Sequence, residues 1–562
     1  MQKNTIYILV FCSFILFGMI LAYFSDEAQP AFYTQDQPIL MIQQSKQNAV
    51  YEDTDGLMRI TEGDKIYLSL EVLSKHLNID GIYDEDHNVA VITTKDKVIR
   101  FYQKKNKVKV NQEEVEDIAA MIVEDGKPFV PVNGLEDLLK VDCRWIKESN
   151  LILLKSQWDS KTIGNIAYDA IKLKKAPTFW SSAEVMLQKE EKVEILQEEG
   201  LWLQVLTEKG KIGYIQKTQI NDKEEIKGLE QKKNEPIWKP KEGKIILTWE
   251  HVTGRNPDTN KIGALKGVNV ISPTWIQLVE ASGKIQHNIS KDYIEWAKQR
   301  DYKIWVLASN SFDPDLTNAF LNNAVARETF INDLIRLVKE NDMDGINIDF
   351  ENVYLKNKDQ LTQFVRELTP VFHENGLVVS MDVTVKSMSE NWSMCYDRAA
   401  LGKIVDYMAV MTYDEHWRTS PVSGSVASIP WVEKGIKTIL EEVPEEKILL
   451  GVPFYTRIWV ETPSKKEPNK MQVKSKAASM ETIDEILKKN NIVKIWDDAA
   501  GQYYVAYIEE NALHKIWIED VKSMASRTGL ISKYNLAGIG AWRRGFETEE
   551  IWEVIDGGVN KE

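Results

Sequence analysis

The sequence predicts a multidomain chain: a C-terminal (β/α)8 TIM barrel with a small α+β insertion, preceded by a small all-β barrel, an α+β repeat domain and an N-terminal transmembrane helix. Three observations carry this prediction. Eight apolar, strand-like runs alternate with helical patterns after Lys244. Short alternating strands separated by Glu-Gly and Lys-Gly turns fill the stretch before them. An almost unbroken apolar run, Ile6 to Phe24, opens the chain and, at about 19 residues, is long enough to cross a bilayer as a helix. A chain of 562 residues is also too long for a single core.

Lys3 precedes the first apolar run and Asp26 and Glu27 follow it. A basic residue before the run and acids after it favour an inside N-terminus and delivery of everything from Ser25 onward to the outside. The run is longer than a usual signal core and lacks a small-x-small cleavage site after Leu21, so residues 1–25 read as a retained anchor or uncleaved signal. A membrane-anchored, extracytoplasmic location in a cell envelope or on a spore surface follows. Residues 26–48, polar with Pro30 and Pro38, read as a tether.

Residues 49–158 repeat weakly. Gly63 to Ser69, a helical Leu70 to Leu77 and Asn88 to Ile92 are answered by Gly126 to Pro131, Leu135 to Leu139 and Asn150 to Leu154. Each unit reads as strand, short helix, turn, strand, and the pair resembles the copper amine oxidase N-terminal-like domain. No His cluster accompanies it, so no copper is implied and the module reads as a spacer or wall contact. Residues 163–221 alternate over four short runs and resemble a bacterial SH3-type barrel. Trp202 there fits either a ligand platform or core. Residues 222–242, rich in Lys and Glu with Pro236 and Pro240, read as a linker.

The barrel, 243–560, takes its strands from Ile245 to Glu250, Val268 to Pro273, Ile304 to Ser309, Ile346 to Glu351, Val378 to Val383, Met408 to Tyr413, Ile448 to Pro453 and Ile539 to Trp542. Helical patterns include Tyr293 to Gln299, Ile331 to Lys339, Leu361 to His373 and Trp431 to Leu440. The insertion falls between the last two strands, at about 461–510, where Trp496, Tyr503, Tyr504 and Tyr507 suggest one wall of a groove. Catalytic groups of this fold lie at the C-terminal strand ends. On the fourth strand, Ile346, Ile348 and Phe350 alternate with Asn347, Asp349 and Glu351, which sends the three polar groups to one face. Carboxylates two residues apart on a strand start roughly 6 to 7 Å from each other, close enough to perturb each other's pKa and work on one substrate.

Four motifs occur in order at the expected strand ends: Asp344-Gly-Ile-Asn-Ile-Asp-Phe-Glu351, Met411-Thr-Tyr-Asp414, Ile516-Trp-Ile-Glu-Asp520 ahead of the last helix, and Gly538-Ile-Gly-Ala-Trp542. Together they resemble glycoside hydrolase family 18, the chitinase-like family, and within it the spore-germination and cortex-lytic branch that cleaves peptidoglycan glycans. The resemblance implies a retaining mechanism in which the substrate's own 2-acetamido oxygen attacks the anomeric carbon. It implies Glu351 as general acid and base, Asp349 as the group that orients the acetamido N–H and stabilises the oxazolinium, and Tyr413 as hydrogen-bond donor to the acetamido oxygen. Asn347, Asp344, Met411, Asp414, Trp542, Asn310 and Trp275 are expected to bind substrate, Trp542 as a floor for a sugar ring. A lectin-like glycan-binding relative and a chitinase are the alternative functions; the retained Glu351 argues against the lectin.

Two departures stand out. The family motif has an acid where this chain has Asn347, so Asp349 lacks that carboxylate partner, though Asn347 could hydrogen-bond it. The strand-three Ser-x-Gly-Gly pattern of many chitinases is replaced by Ala308-Ser-Asn-Ser-Phe312. Other chemistries are disfavoured. A formal net charge of -15 argues against nucleic acid as partner. The three cysteines, Cys12, Cys143 and Cys395, have no metal-like spacing, so neither metal nor cofactor is expected. The expected partners are peptidoglycan or another N-acetylglucosamine-containing glycan, and the membrane through the N-terminal helix.

Overall fold

The computed structural model describes residues 38–43, 49–51, 54, 56–230, 235–464 and 471–560. The apolar run read as a membrane anchor lies outside the described residues. Among those described, no helix is long and apolar enough to cross a membrane. The chain divides into two compact units, residues 1–81 with 116–232, and 82–115 with 233–562.

In the first unit, Ile39–Gln43 is a fully buried strand that pairs in parallel with Leu151–Ser156. The expected tether therefore gives way to structure at Ile39, because five consecutive residues, mostly apolar, bury themselves once a strand partner is available. The two halves of the repeat meet where Lys127–Pro131 pairs antiparallel with Lys65–Ser69. Ser69 caps the following helix, Leu70–Leu77, by accepting from the Val72 N–H. Residues 161–226 form a seven-stranded antiparallel sheet around a core of its own. Its last strand, Ile220–Ile226, pairs with Lys161–Ile166, so the sheet takes in residues expected to be linker. Trp202 is 6% exposed and lies edge-on to Phe179, which makes it core rather than a platform.

The second unit is built on eight parallel strands: β1 (Ile245–Glu250), β2 (Val270–Pro273), β3 (Lys303–Ser309), β4 (Gly345–Asp349), β5 (Val378–Thr384), β6 (Tyr407–Met411), β7 (Ile448–Pro453) and β8 (Gly538–Trp542). Neighbours pair in sequence, β8 pairs with β1, and every bond of the ring is parallel, so the sheet closes into a barrel. The largest apolar cluster lies between strands and helices. The barrel interior is different at its two ends. Near the strand starts Trp305 stacks on Tyr407 and meets Trp238 edge-on, an aromatic plug. Toward the strand ends the interior turns polar and acidic. Gly345 belongs to the plugged end, where it starts β4 and a Cβ would meet the Val378 carbonyl at 2.5 Å and the Trp305 ring at 3.1 Å.

The insertion follows β7 as a five-stranded antiparallel sheet from Thr456 to Ile518 with one helix, Met480–Lys489. It is longer than the sequence pattern suggests at both ends. Tyr503 and Tyr507 pack on its own core, and Trp496 lies edge-on to Tyr503.

Residues 82–115 contribute antiparallel strands that pack on helices α1 (Ala324–Glu340) and α2 (Lys358–Glu374). Asp84 accepts from the Ala324 N–H at the start of α1 (2.7 Å), where an acid also complements the helix dipole. Arg100 and Arg327 both bind Glu367, at 3.0 and 2.8 Å, and all three side chains are buried.

Candidate active site

The C-terminal ends of β3, β4, β5 and β6, with the segment that follows β7, gather one set of polar side chains. Tight turns leave these ends: Ser311, Asn352 and Asp414 all have positive φ, near 57°, 54° and 62°. Asp349 ends β4 and is 6% exposed; Glu351 follows it, half-buried. Asn310 fixes the backbone of Glu351 from both sides, its Oδ1 accepting from the Glu351 N–H (3.1 Å) and its Nδ2 donating to the Glu351 carbonyl (2.7 Å). Fully buried, Asn310 is thus a clamp on the chain that carries the acid rather than a sugar contact.

Asn347 also turns out to be interior. Its Oδ1 accepts from Trp249 Nε1 (2.8 Å) and Ser272 Oγ (3.3 Å), and its Nδ2 donates to Ser380 Oγ (3.1 Å) and Asp382 Oδ1 (2.9 Å). With all of its capacity used it binds neither substrate nor Asp349, whose Oδ1 is buried with no hydrogen-bond partner among the described residues. Two further expectations are corrected. Asp344 precedes β4 at the opposite end of the barrel, ion-paired to Lys303 (2.7 Å) and accepting from the Ile304 N–H (3.0 Å). Trp275 is fully buried between barrel and helices, donating to Asn256 Oδ1 (2.7 Å) and packing edge-on to Tyr293. Glycine-led strand starts and large aromatics look alike in sequence at either end of a barrel; only the register separates them.

Tyr413 lies just beyond β6, edge-on to Tyr455, and buried Met411 ends that strand. Asp414 accepts from Tyr455 Oη (2.6 Å) and Arg457 Nη2 (2.7 Å). The insertion's first strand, Thr456–Pro463, thereby sends a cation back to the rim. Trp542 ends β8 half-buried, its ring tilted 5.6 Å from His251 and 6.2 Å from the buried Trp249.

The electrostatics follow from burial without cations. Asp349 is pushed up to about 7 by burial. Glu351 is raised well above the usual carboxylate range, first by burial, then by Asp349 and Asp414. Asp382, which sequence reasoning missed, is 2% exposed and raised by burial and by Asp349. Its signal was available: Ser380, Asp382 and Thr384 alternate with Val379, Met381 and Val383 as the polar residues of β4 do. Tyr455 and Arg457 carried no such signal, since they lie at the root of the insertion. An acid kept protonated beside an acid that ionises near neutrality can donate a proton to a leaving group while a charge is held close by.

Residues 248–547 match the glycosyl hydrolases family 18 pattern, more than half of the chain. The chain belongs to this family. Residues 48–154 match the copper amine oxidase N-terminal domain. Among curated proteins, the uncharacterized glycosylase YvbX of Bacillus subtilis is 28% identical over 298 residues, covering 50% of this chain and 82% of that protein. The cortical fragment-lytic enzyme of B. subtilis is 26% identical over 264 residues, 45% of this chain and 58% of that one. Among solved structures, the Bacillus megaterium spore cortex-lytic enzyme SleL superposes with a TM-score of 0.51 at 21% identity, over 60% of this chain and 77% of that one, a likeness of fold. The family 18 chain is a glycosidase related to cortex-lytic enzymes and chitinases.

Proposed function

We propose that this glycosidase is a retaining enzyme that cleaves N-acetylglucosamine-containing glycan, peptidoglycan of spore cortex or cell wall, by substrate-assisted catalysis. The observation that supports it most is the pairing of Glu351, held protonated, with Asp349, poised to ionise near neutrality, at the open end of the barrel. Glu351 protonates the leaving oxygen and then, as carboxylate, takes a proton from water. Asp349 orients the acetamido N–H and balances the positive oxazolinium, and Tyr413 donates to the acetamido oxygen. Trp542 floors the sugar. The kinship with cortical fragment-lytic enzymes supports cortex as the substrate. In this reading residues 1–25 anchor the chain outside the cytoplasm, and the sheet of residues 161–226 is an SH3-type module facing the wall.

The experiment is digestion of purified cortex, vegetative peptidoglycan and chitin by the full chain and by Glu351→Gln, with mass spectrometry of the soluble fragments. New reducing N-acetylglucosamine ends from the parent and none from the variant are expected. Binding without fragments from either protein would sink the enzyme reading; release from chitin alone would overturn the substrate.

A further inference from the structure

Asp382 has no task in the chemistry above, yet it sits beside the groups that perform it. Ile348 of β4 pairs with Met381 of β5, and one residue further along each strand stand Asp349 and Asp382. Asp382 is held by Asn347 Nδ2 at 2.9 Å, while Asp349 keeps a buried oxygen without a partner among the described residues. The groups that act on this cluster are Asp349 at the end of β4, Glu351 just beyond it, Tyr413 just beyond β6 and Tyr396 after β5, with Trp249 from β1 below. Arg457 and Arg398 are engaged elsewhere, Arg457 with Asp414 and Arg398 with the Thr384 and Ser393 carbonyls.

We propose that Asp382 supplies from β5 the second carboxyl that β4 lacks at Asn347, and that as a positioning residue it holds one proton jointly with Asp349, so that the two carry a single negative charge. The inference rests on the substrate-assisted reading. As positive charge develops on the sugar, the proton stays on Asp382 and the negative charge on Asp349; none enters or leaves the pair. Burial makes a second charge there costly, and the charge of Asp349 itself drives Asp382 further toward its neutral form.

A purely structural Asp382 makes a contrary prediction. Asp382→Asn leaves two amides able to hydrogen-bond each other, so packing alone predicts unchanged kinetics. The pairing predicts that kcat on cortex fragments falls at least about tenfold with KM within about twofold, because a transition-state interaction is lost. Combining Asn347→Asp with Asp382→Asn returns the carboxyl to β4 and is expected to restore most of kcat and the parent's pH profile. A second readout needs no turnover: carboxyl carbon-13 NMR titration of the aspartate-labelled full chain. Asp382 is expected to keep its proton at pH 7 and to titrate lower in Asp349→Asn, where the like charge is gone. Unchanged kinetics in Asp382→Asn, or a titration of Asp382 unmoved by Asp349→Asn, overturns the pairing. A parent that hydrolyses nothing overturns the glycosidase reading instead, and the NMR titration still decides the pairing.

Discussion

Glu367 on α2 and Asp382 on β5 are both acids of the barrel unit with almost no solvent exposure, 0% and 2%. Glu367 receives two buried arginines, Arg100 from the strands of residues 82–115 and Arg327 from α1, with Gln363 Nε2 adding a hydrogen bond at 3.2 Å. Asp382, Asp349 and Glu351 have no ion pair with Lys or Arg among the described residues, and burial raises all three. Glu519 is intermediate: Arg527 pairs with it at 2.7 Å, yet burial still pushes its carboxyl up to about 7. The difference teaches that burial of acids is not itself a sign of chemistry. A buried acid given counter-charges ties elements together; acids buried in company and left without cations have their proton affinity raised, and among them Glu351 is the one that transfers its proton.

The contrast breaks most sharply at Glu351. Glu351→Gln keeps the shape and removes the proton, so kcat should fall by about 10² to 10⁴-fold, the range for general acid–base groups, while thermal unfolding stays near that of the parent. Steady-state kinetics beside a melting curve check it; a variant within about tenfold of the parent would remove Glu351 from the chemistry.

Glu367→Gln should do the reverse. It leaves Arg100 and Arg327 buried without their counter-charge, and losing one partner of a buried pair costs about 3 to 5 kcal/mol. Urea unfolding should show that loss, with kcat per folded molecule unchanged. A variant that loses kcat but not stability would mean that the two clusters are not separate in function.

How much of this contrast can be read in the sequence depends on range. The barrel is legible because each strand is a local apolar run and each motif lies within one strand, so Asp349, Glu351, Tyr413 and Trp542 are found at the strand ends. Alternation of polar residues on one strand is local too, and it brings Asn347 to the right face. What Asn347 binds is not local: Trp249, Ser272, Ser380 and Asp382 come from β1, β2 and β5, up to 98 positions away in the chain. The same holds for Glu367, whose partner Arg100 lies 267 positions earlier in a stretch read as a separate module. Asp344 and Trp275 fail for a related reason, since a motif gives residue identity but not what each side chain meets: Lys303 for Asp344, Asn256 and Tyr293 for Trp275.

A titration sharpens the comparison further. Asp349 has its ordinary value of 3.8 when the chain is unfolded and about 7 when folded. Its protonation thus favours the folded state: the stabilisation is full below pH 3.8 and is lost as pH rises through 7. Asp349→Asn should remove Asp349's own share of that dependence and be the more stable protein at pH 8 by about 1 kcal/mol or more, the opposite sign to Glu367→Gln. Activity should run the other way. If ionised Asp349 balances the oxazolinium, kcat falls as pH drops below about 7. Urea midpoints at pH 4 and 8 for both proteins test the first claim, and the acid limb of the pH–rate profile tests the second.

Asn310 touches the backbone of Glu351 and none of its chemistry. Asn310→Ala removes both clamp bonds, at 3.1 and 2.7 Å, along with the bond to Thr317 Oγ1 at 2.9 Å. A buried carbonyl and N–H left unmet cost about 1 to 3 kcal/mol each, and the turn at Asn352 can recover part of that by relaxing. Relaxation moves the Glu351 carboxyl off the line of the leaving oxygen, so kcat should fall about tenfold while the acid and alkaline limbs of the pH–rate profile stay in place. Limbs that move with kcat would instead mean that the clamp sets the proton affinity of Glu351 as well as its position, which would join to the chemistry a residue here assigned to geometry.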